Sequence, residues 1–160
     1  MNKVVIADAG PLIALARLRL MELLPQVFDG VFVTDAVLEE CAGRPDFPEA
    51  QIILDAVSRK FLERCVAPDF SAFVQEIDAG EASAIATAIE LGCGVLMDDK
   101  AGRRTAANIG IPVIGTVGVL VLAKRKGFVP FVKPLLENLA TSGYFLSGDV
   151  IAAALLASGE

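Results

Sequence analysis

The residues of this 160-residue chain best suited to chemistry are acids that directly follow short apolar runs. Asp8 ends Val4-Val5-Ile6-Ala7, and Asp98 and Asp99 follow Val95-Leu96-Met97. Thr34-Asp35 follow Val31-Phe32-Val33 and lead into a segment bearing Glu39 and Glu40. Parallel α/β sheets place their chemistry at the carboxyl ends of the strands, so these acids are predicted to converge on one edge. Histidine is absent, which removes Ser-His-Asp and Cys-His triads, imidazole acid/base catalysis and imidazole-bound zinc or haem. The three cysteines, Cys41, Cys65 and Cys93, form no C-x-x-C pair. The donors that remain are carboxylate oxygens, which favour hard cations such as Mg²⁺ or Mn²⁺. Such a centre suits phosphate substrates, because the ion activates water, polarises a phosphoryl oxygen and neutralises the leaving oxygen.

Helical geometry adds Glu81, since Glu81, Ile85, Ala88 and Ile89 fall on one stripe at 100° per residue. A capping box competes with that reading, with Asp78 as cap and Glu81 reaching back to its N–H. On the helix after Thr34, Val37, Leu38 and Cys41 define the buried direction; Glu40 lies nearer to it than Glu39. Asp8 alone fits a turn before Gly10-Pro11, and Asp98 or Asp99 alone fits a helix cap. Together, four carboxylates at one edge repel one another unless a cation or bound protons neutralise them. Lys100, Arg103 and Arg104 open the helix after Asp98-Asp99, where they would meet phosphates flanking the scissile one. Lys124-Arg125-Lys126 reads either as a second basic patch or as cations at a helix end.

The elements that must carry these groups alternate between short apolar runs and helical patterns. Strands are predicted at Val4–Ala7, Val31–Val33, Val95–Met97 and Pro112–Ile114, with an edge strand near Arg64–Val66. Their consecutive apolar residues require cover on both faces, hence a parallel sheet between helical layers. The first helix is predicted to open at Pro11, and a second piece to end before Pro25. Further helices are expected from Thr34 through Cys41, over 50–59, 79–91 between Asp78 and Gly92, Asp99 to about Asn108, Thr116–Lys126, Phe131–Thr141 and Gly148–Ala157.

Length and a 54% hydrophobic composition predict one domain over 1–160, burying roughly 70% of its unfolded surface. The net charge of −6, from 20 acids against 14 bases, argues against a general nucleic-acid-coating surface but is compatible with an acidic metal site. Unpaired cysteines fit a reducing cytoplasm, and Asp8 interrupts the opening apolar run too early for a signal peptide. No charge occurs from Thr105 to Ala123, yet Asn108, Gly110, Pro112, Gly115 and Gly118 break that stretch, so no membrane span is expected. The helix over Val150–Ala157 is apolar almost all round and predicts a core cover or a homodimer contact.

The run Val5-Ile6-Ala7-Asp8-Ala9-Gly10-Pro11-Leu12-Ile13-Ala14-Leu15 resembles a PIN domain. So do Val37-Leu38-Glu39-Glu40, Gly80-Glu81-Ala82 with Ala84-Ile85-Ala86, Val95-Leu96-Met97-Asp98-Asp99-Lys100 and Ile114-Gly115-Thr116-Val117-Gly118-Val119-Leu120. The ordered set spans nearly the whole chain and is similar to the prokaryotic branch of VapC-like toxins. The resemblance implies a three-layer α/β/α sandwich with a central parallel sheet, and an Mg²⁺- or Mn²⁺-dependent ribonuclease acting on RNA. It matches Asp8, Glu40, Glu81 and Asp99 to the family's acids, with Asp98 competing for the last place, and a toxin would require an antitoxin partner. Two departures stand out. Gly10 occupies a position where the family often has serine or threonine, and Ala101 one where a further acid is common. Two rivals are a catalytically weak PIN-like scaffold and a phosphotransfer receiver; the latter's acid pair should follow the first strand, whereas Asp98-Asp99 come late. No G-x-G-x-x-G or P-loop motif supports nucleotide binding.

Overall fold

The computed structural model describes residues 3–160. Its core is a five-stranded sheet of β1 (Val4–Ala7), β2 (Gly30–Thr34), β3 (Glu63–Cys65), β4 (Gly94–Leu96) and β5 (Val113–Ile114), in the order β3-β2-β1-β4-β5. Every pairing is parallel, with Val5 opposite both Val31 and Gly94. The helices are α1 (Ala9–Leu18), α2 (Leu23–Val27), α3 (Asp35–Ala42), α4 (Pro48–Ser58), α5 (Ala79–Leu91), α6 (Lys100–Ile109), α7 (Thr116–Arg125), α8 (Lys133–Thr141) and α9 (Gly148–Ser158).

Alternation along the strands divides the core into two layers. Val5, Ala7, Val31, Val33 and Leu96 face a large cluster built with α1, α2, α3, α4, α7 and α8. Ile6, Val95 and Met97 face a smaller one containing Ala82, Ile85 and Ala88 of α5 and Ala106 of α6. This is a three-layer α/β/α arrangement, and it explains why the strands read as unbroken apolar runs.

The caps of α3 and α5 follow the local sequence. Thr34 Oγ1 accepts from Val37 N at 3.2 Å, and Gly92 ends α5 in the left-handed region at φ 65°. Two proline expectations need correction. α1 begins at Ala9, so Pro11 is its third residue, and α2 contains Pro25 rather than ending before it. Both rings sit in a first turn, where an N–H has no intrahelical partner to lose. Ile89 also leaves its predicted stripe and is about half exposed. The uncharged stretch from Thr105 to Ala123 is divided among α6, β5 and α7, and no helix among the described residues is long and apolar enough to cross a membrane.

Candidate active site

From β1 the chain moves outward through β2 and β3, then returns to place β4 on the other side of β1. The carboxyl ends of β1 and β4 therefore flank the crevice where open α/β sheets hold ligands. Asp8 N–H donates to the Leu96 carbonyl at 2.8 Å, stitching together the strand ends that carry Asp8 and Asp98-Asp99. Asp8 precedes α1 but makes no side-chain cap bond. Its side chain is buried, and Oδ1 has no hydrogen-bond partner. Burial pushes its carboxyl up to about 7; the Ala9 N–H pulls downward, and the charges of Glu40, Asp78 and Asp99 push further upward.

Glu81 stands across the crevice in the first turn of α5. Asp78 Oδ1 accepts from Glu81 N at 2.8 Å, so Asp78 is the cap. The Glu81 carboxylate does not complete a capping box: Oε2 is buried without a partner. It lies against α6, where a Cβ added at Gly102 would fall 2.7 Å from Oε2 and 2.5 Å from Met97 Sδ. Burial, followed by Asp78, Asp99 and Asp8, raises its pKa to about 9.

Glu40 reaches the same end of α5, since a Cβ at Gly80 would lie 2.5 Å from its Oε2. Burial and then the Asp78 charge raise its pKa. Glu39 folds back along its own helix, with Oε1 2.8 Å from the Cβ position of Gly43. Two buried hydroxyls hold α3 and α5 together, Thr34 Oγ1 and Ser83 Oγ at 2.7 Å. Every residue of α5 from Gly80 to Ala88 is buried, and its small side chains let the helix come close to the sheet.

The adjacent acids of β4 have different surroundings. Asp98 Oδ1 accepts from Thr116 N at 2.7 Å, and Oδ2 accepts from Thr116 Oγ1 at 2.6 Å and from the Tyr144 hydroxyl. Asp99 caps α6 through Oδ2, which accepts from Gly102 N at 3.0 Å, and its charge acts on Asp8 and Glu81. The charges of Glu40 and Asp99 act on Asp8, and those of Asp8 and Asp99 act on Glu81, so these acids share one end of the sheet, while Asp98 is tied to α7 and to the segment before α9.

Two contributors escaped the sequence reading. Asp78 reads locally as a cap, yet its charge acts on Asp8, Glu40 and Glu81. Tyr144 has no spacing signal, because it approaches from 46 positions beyond Asp98. Burial first, then Asp98, raises its phenol pKa.

Among the basic residues, Lys100 and Arg104 are exposed, whereas Arg103 donates to the Met97 carbonyl at 2.8 Å. In the second basic run, Lys124 pairs with Glu160 at 3.0 Å and Arg125 donates to the Ala157 carbonyl at 3.2 Å. Those two residues fasten α9 to α7.

Among the described residues, no three Asp, Glu or Cys side chains converge closely enough to hold an ion as they stand. The donor chemistry nevertheless fits a hard divalent cation. Two buried carboxylate oxygens lack partners, and the acids around Asp8 and Glu81 push the pKa of both upward, a repulsion that a cation relieves. Cys41 offers no competing thiolate, since burial pushes its pKa up to about 12.

A family model described as a PIN domain matches residues 4–160. No curated protein matches the chain.

Proposed function

The chain belongs to the PIN domain family, whose fold is of nuclease type, and from that premise we propose that it is an Mg²⁺- or Mn²⁺-dependent endoribonuclease. The observation that carries this reading is the pair of buried, unpartnered oxygens, Asp8 Oδ1 and Glu81 Oε2, in the crevice between β1 and β4. Asp8, Glu40, Glu81 and Asp99 are the residues that would hold the metal. The ion supplies a lowered pKa for bound water and neutralises charge that develops on the phosphodiester oxygens. Burial and the neighbouring acids raise the pKa of Asp8 and Glu81, and a cation bound there would draw off their protons. Lys100 and Arg104 would meet phosphates on either side of the scissile one, and Arg103 steadies the end of β4 through Met97.

The test is cleavage of a labelled RNA pool with Mg²⁺, Mn²⁺ or EDTA, comparing wild type with Asp8→Asn purified identically. Metal-dependent cutting that disappears in the variant supports the reading. Equal cutting by both proteins overturns it. Absence of both cutting and metal uptake favours a binding scaffold, consistent with the wide spacing of the acids.

The same reading extends to a toxin of a toxin–antitoxin pair in the cytoplasm, where the free thiols of Cys41, Cys65 and Cys93 would stay reduced. Copurification of a small neighbouring-gene product supports this role, and harmless expression of wild type alone opposes it. The outer face of α9, where Leu156 is 84% exposed, suits a homodimer contact. Light scattering that finds a monomer at high concentration removes the dimer.

A further inference from the structure

The chain has a single tyrosine, and the segment joining α8 to α9 delivers its hydroxyl to Asp98. We propose that Tyr144 is a positioning residue of the acidic site: with Thr116 it fixes Asp98, and thereby the strand end that presents Asp99, while occupying space left open by Gly10. This inference rests on the metal-dependent reading above.

Three observations carry it. The first is the space at residue 10, two positions beyond Asp8. A Cβ there would lie 3.1 Å from the Tyr144 hydroxyl oxygen and 3.9 Å from Asp98 Cβ. The phenol thus stands between the first turn of α1 and the end of β4, touching both sides of the crevice.

The second is saturation of Asp98. Thr116 N, Thr116 Oγ1 and Tyr144 donate to its two oxygens. Charge-assisted bonds of this kind restrain a carboxylate more firmly than neutral ones. Asp98 is bonded to Asp99 through one peptide, so holding Asp98 also holds the backbone from which Asp99 faces Asp8 and Glu81.

The third is that Tyr144 is itself well held. Its N–H donates to the Leu139 carbonyl at 3.0 Å, and its ring packs on the larger core cluster. Gly143 makes the turn at φ 88°, a left-handed conformation that brings the chain back toward β4. The hydroxyl therefore has a defined position, as positioning of a neighbouring group requires.

The test is calorimetric titration of MnCl₂ into wild type, Tyr144→Phe and the double variant Tyr144→Phe/Gly10→Ser, with melting of each in EDTA. Tyr144→Phe keeps the ring and removes only the hydroxyl, so the melting temperature is expected to fall by a few degrees with the loss of one charge-assisted bond while the Mn²⁺ Kd rises about tenfold. In the double variant, serine grows from a Cβ position 3.9 Å from Asp98 Cβ and is expected to recover most of the lost affinity. A lower melting temperature with unchanged Kd assigns Tyr144 a purely structural role and overturns the proposal. Wild type that binds Mn²⁺ with Tyr144→Phe binding equally well overturns the tyrosine's role alone. Wild type that takes up no Mn²⁺ overturns the metal-dependent reading and this inference with it.

Discussion

Asp8→Asn is expected to make the metal-free protein more stable while disabling it. A carboxyl displaced from 3.8 to about 7 in the folded state carries a penalty of about 4 kcal/mol when ionised. Asparagine removes the charge but keeps a buried amide, whose desolvation takes back about half of that gain. The net expectation is about 2 kcal/mol, or a rise of about 4–8 °C in melting temperature for a chain of this size. The sign depends on pH. Because the folded pKa lies above the unfolded one, wild type carries no penalty from Asp8 below about pH 4, accumulates it between pH 4 and 7, and keeps it above 7. The variant should therefore be the less stable protein near pH 4, by the amide's cost of about 2 kcal/mol, cross over within that window and hold an advantage of about 2 kcal/mol by pH 8. Melting followed by circular dichroism in EDTA at pH 4, 5.5, 7 and 8.5 measures this directly. Saturating Mn²⁺ should reverse the order, since ligand at a hundred times its Kd stabilises the binding form by about 2.7 kcal/mol. A difference that stays constant with pH, or a variant less stable at pH 8 in EDTA, would refute the reasoning.

Gly102→Ala forces a methyl to within 2.5 Å of Met97 Sδ and 2.7 Å of Glu81 Oε2. It should cost about 1 kcal/mol after the gain in helix propensity and weaken Mn²⁺ binding at least about tenfold. Calorimetry checks this against Gly148→Ala, whose new Cβ meets nothing within 4 Å and should stabilise by about 0.5 kcal/mol while leaving Mn²⁺ affinity unchanged. Thr34→Val removes both the α3 cap and the buried bond to Ser83, and should destabilise by about 2 kcal/mol in urea unfolding without altering the acids. Lys100→Ala with Arg104→Ala should raise KM for RNA and flatten its salt dependence, leaving Mn²⁺ affinity unchanged, as binding assays across a salt series would show.

The sheet was legible because each strand announces itself locally. Val4–Ala7 is predicted with the observed bounds, and the other strands shift by a residue or two at their ends. Caps were legible for the same reason: Thr34 and Asp78 bond groups three residues away. The start of α1 was misplaced because Pro11 is equally compatible with the first and third helical positions, and only the backbone path decides. The acids at strand ends follow from topology. Their surroundings do not, since the bonds that distinguish Asp98 from Asp99 come from Thr116 and Tyr144, far along the chain. The two orphaned oxygens were equally invisible, because an unmet hydrogen bond is a property of packing.

The central position of β1 also governs when the acidic cluster forms as the chain leaves the ribosome. β2 follows within the next few dozen residues and pairs with one edge of β1. The other edge waits for β4, and until Leu96 has emerged the N–H of Asp8 lacks its carbonyl partner. Asp98 then lacks one of its three donors until Tyr144 appears. A domain folds as a unit, so the carboxylates meet only once β4 and the helices around it are available to pack on the earlier strands. An acidic cluster built this way comes together late in synthesis, and takes its final arrangement only after Tyr144 has emerged.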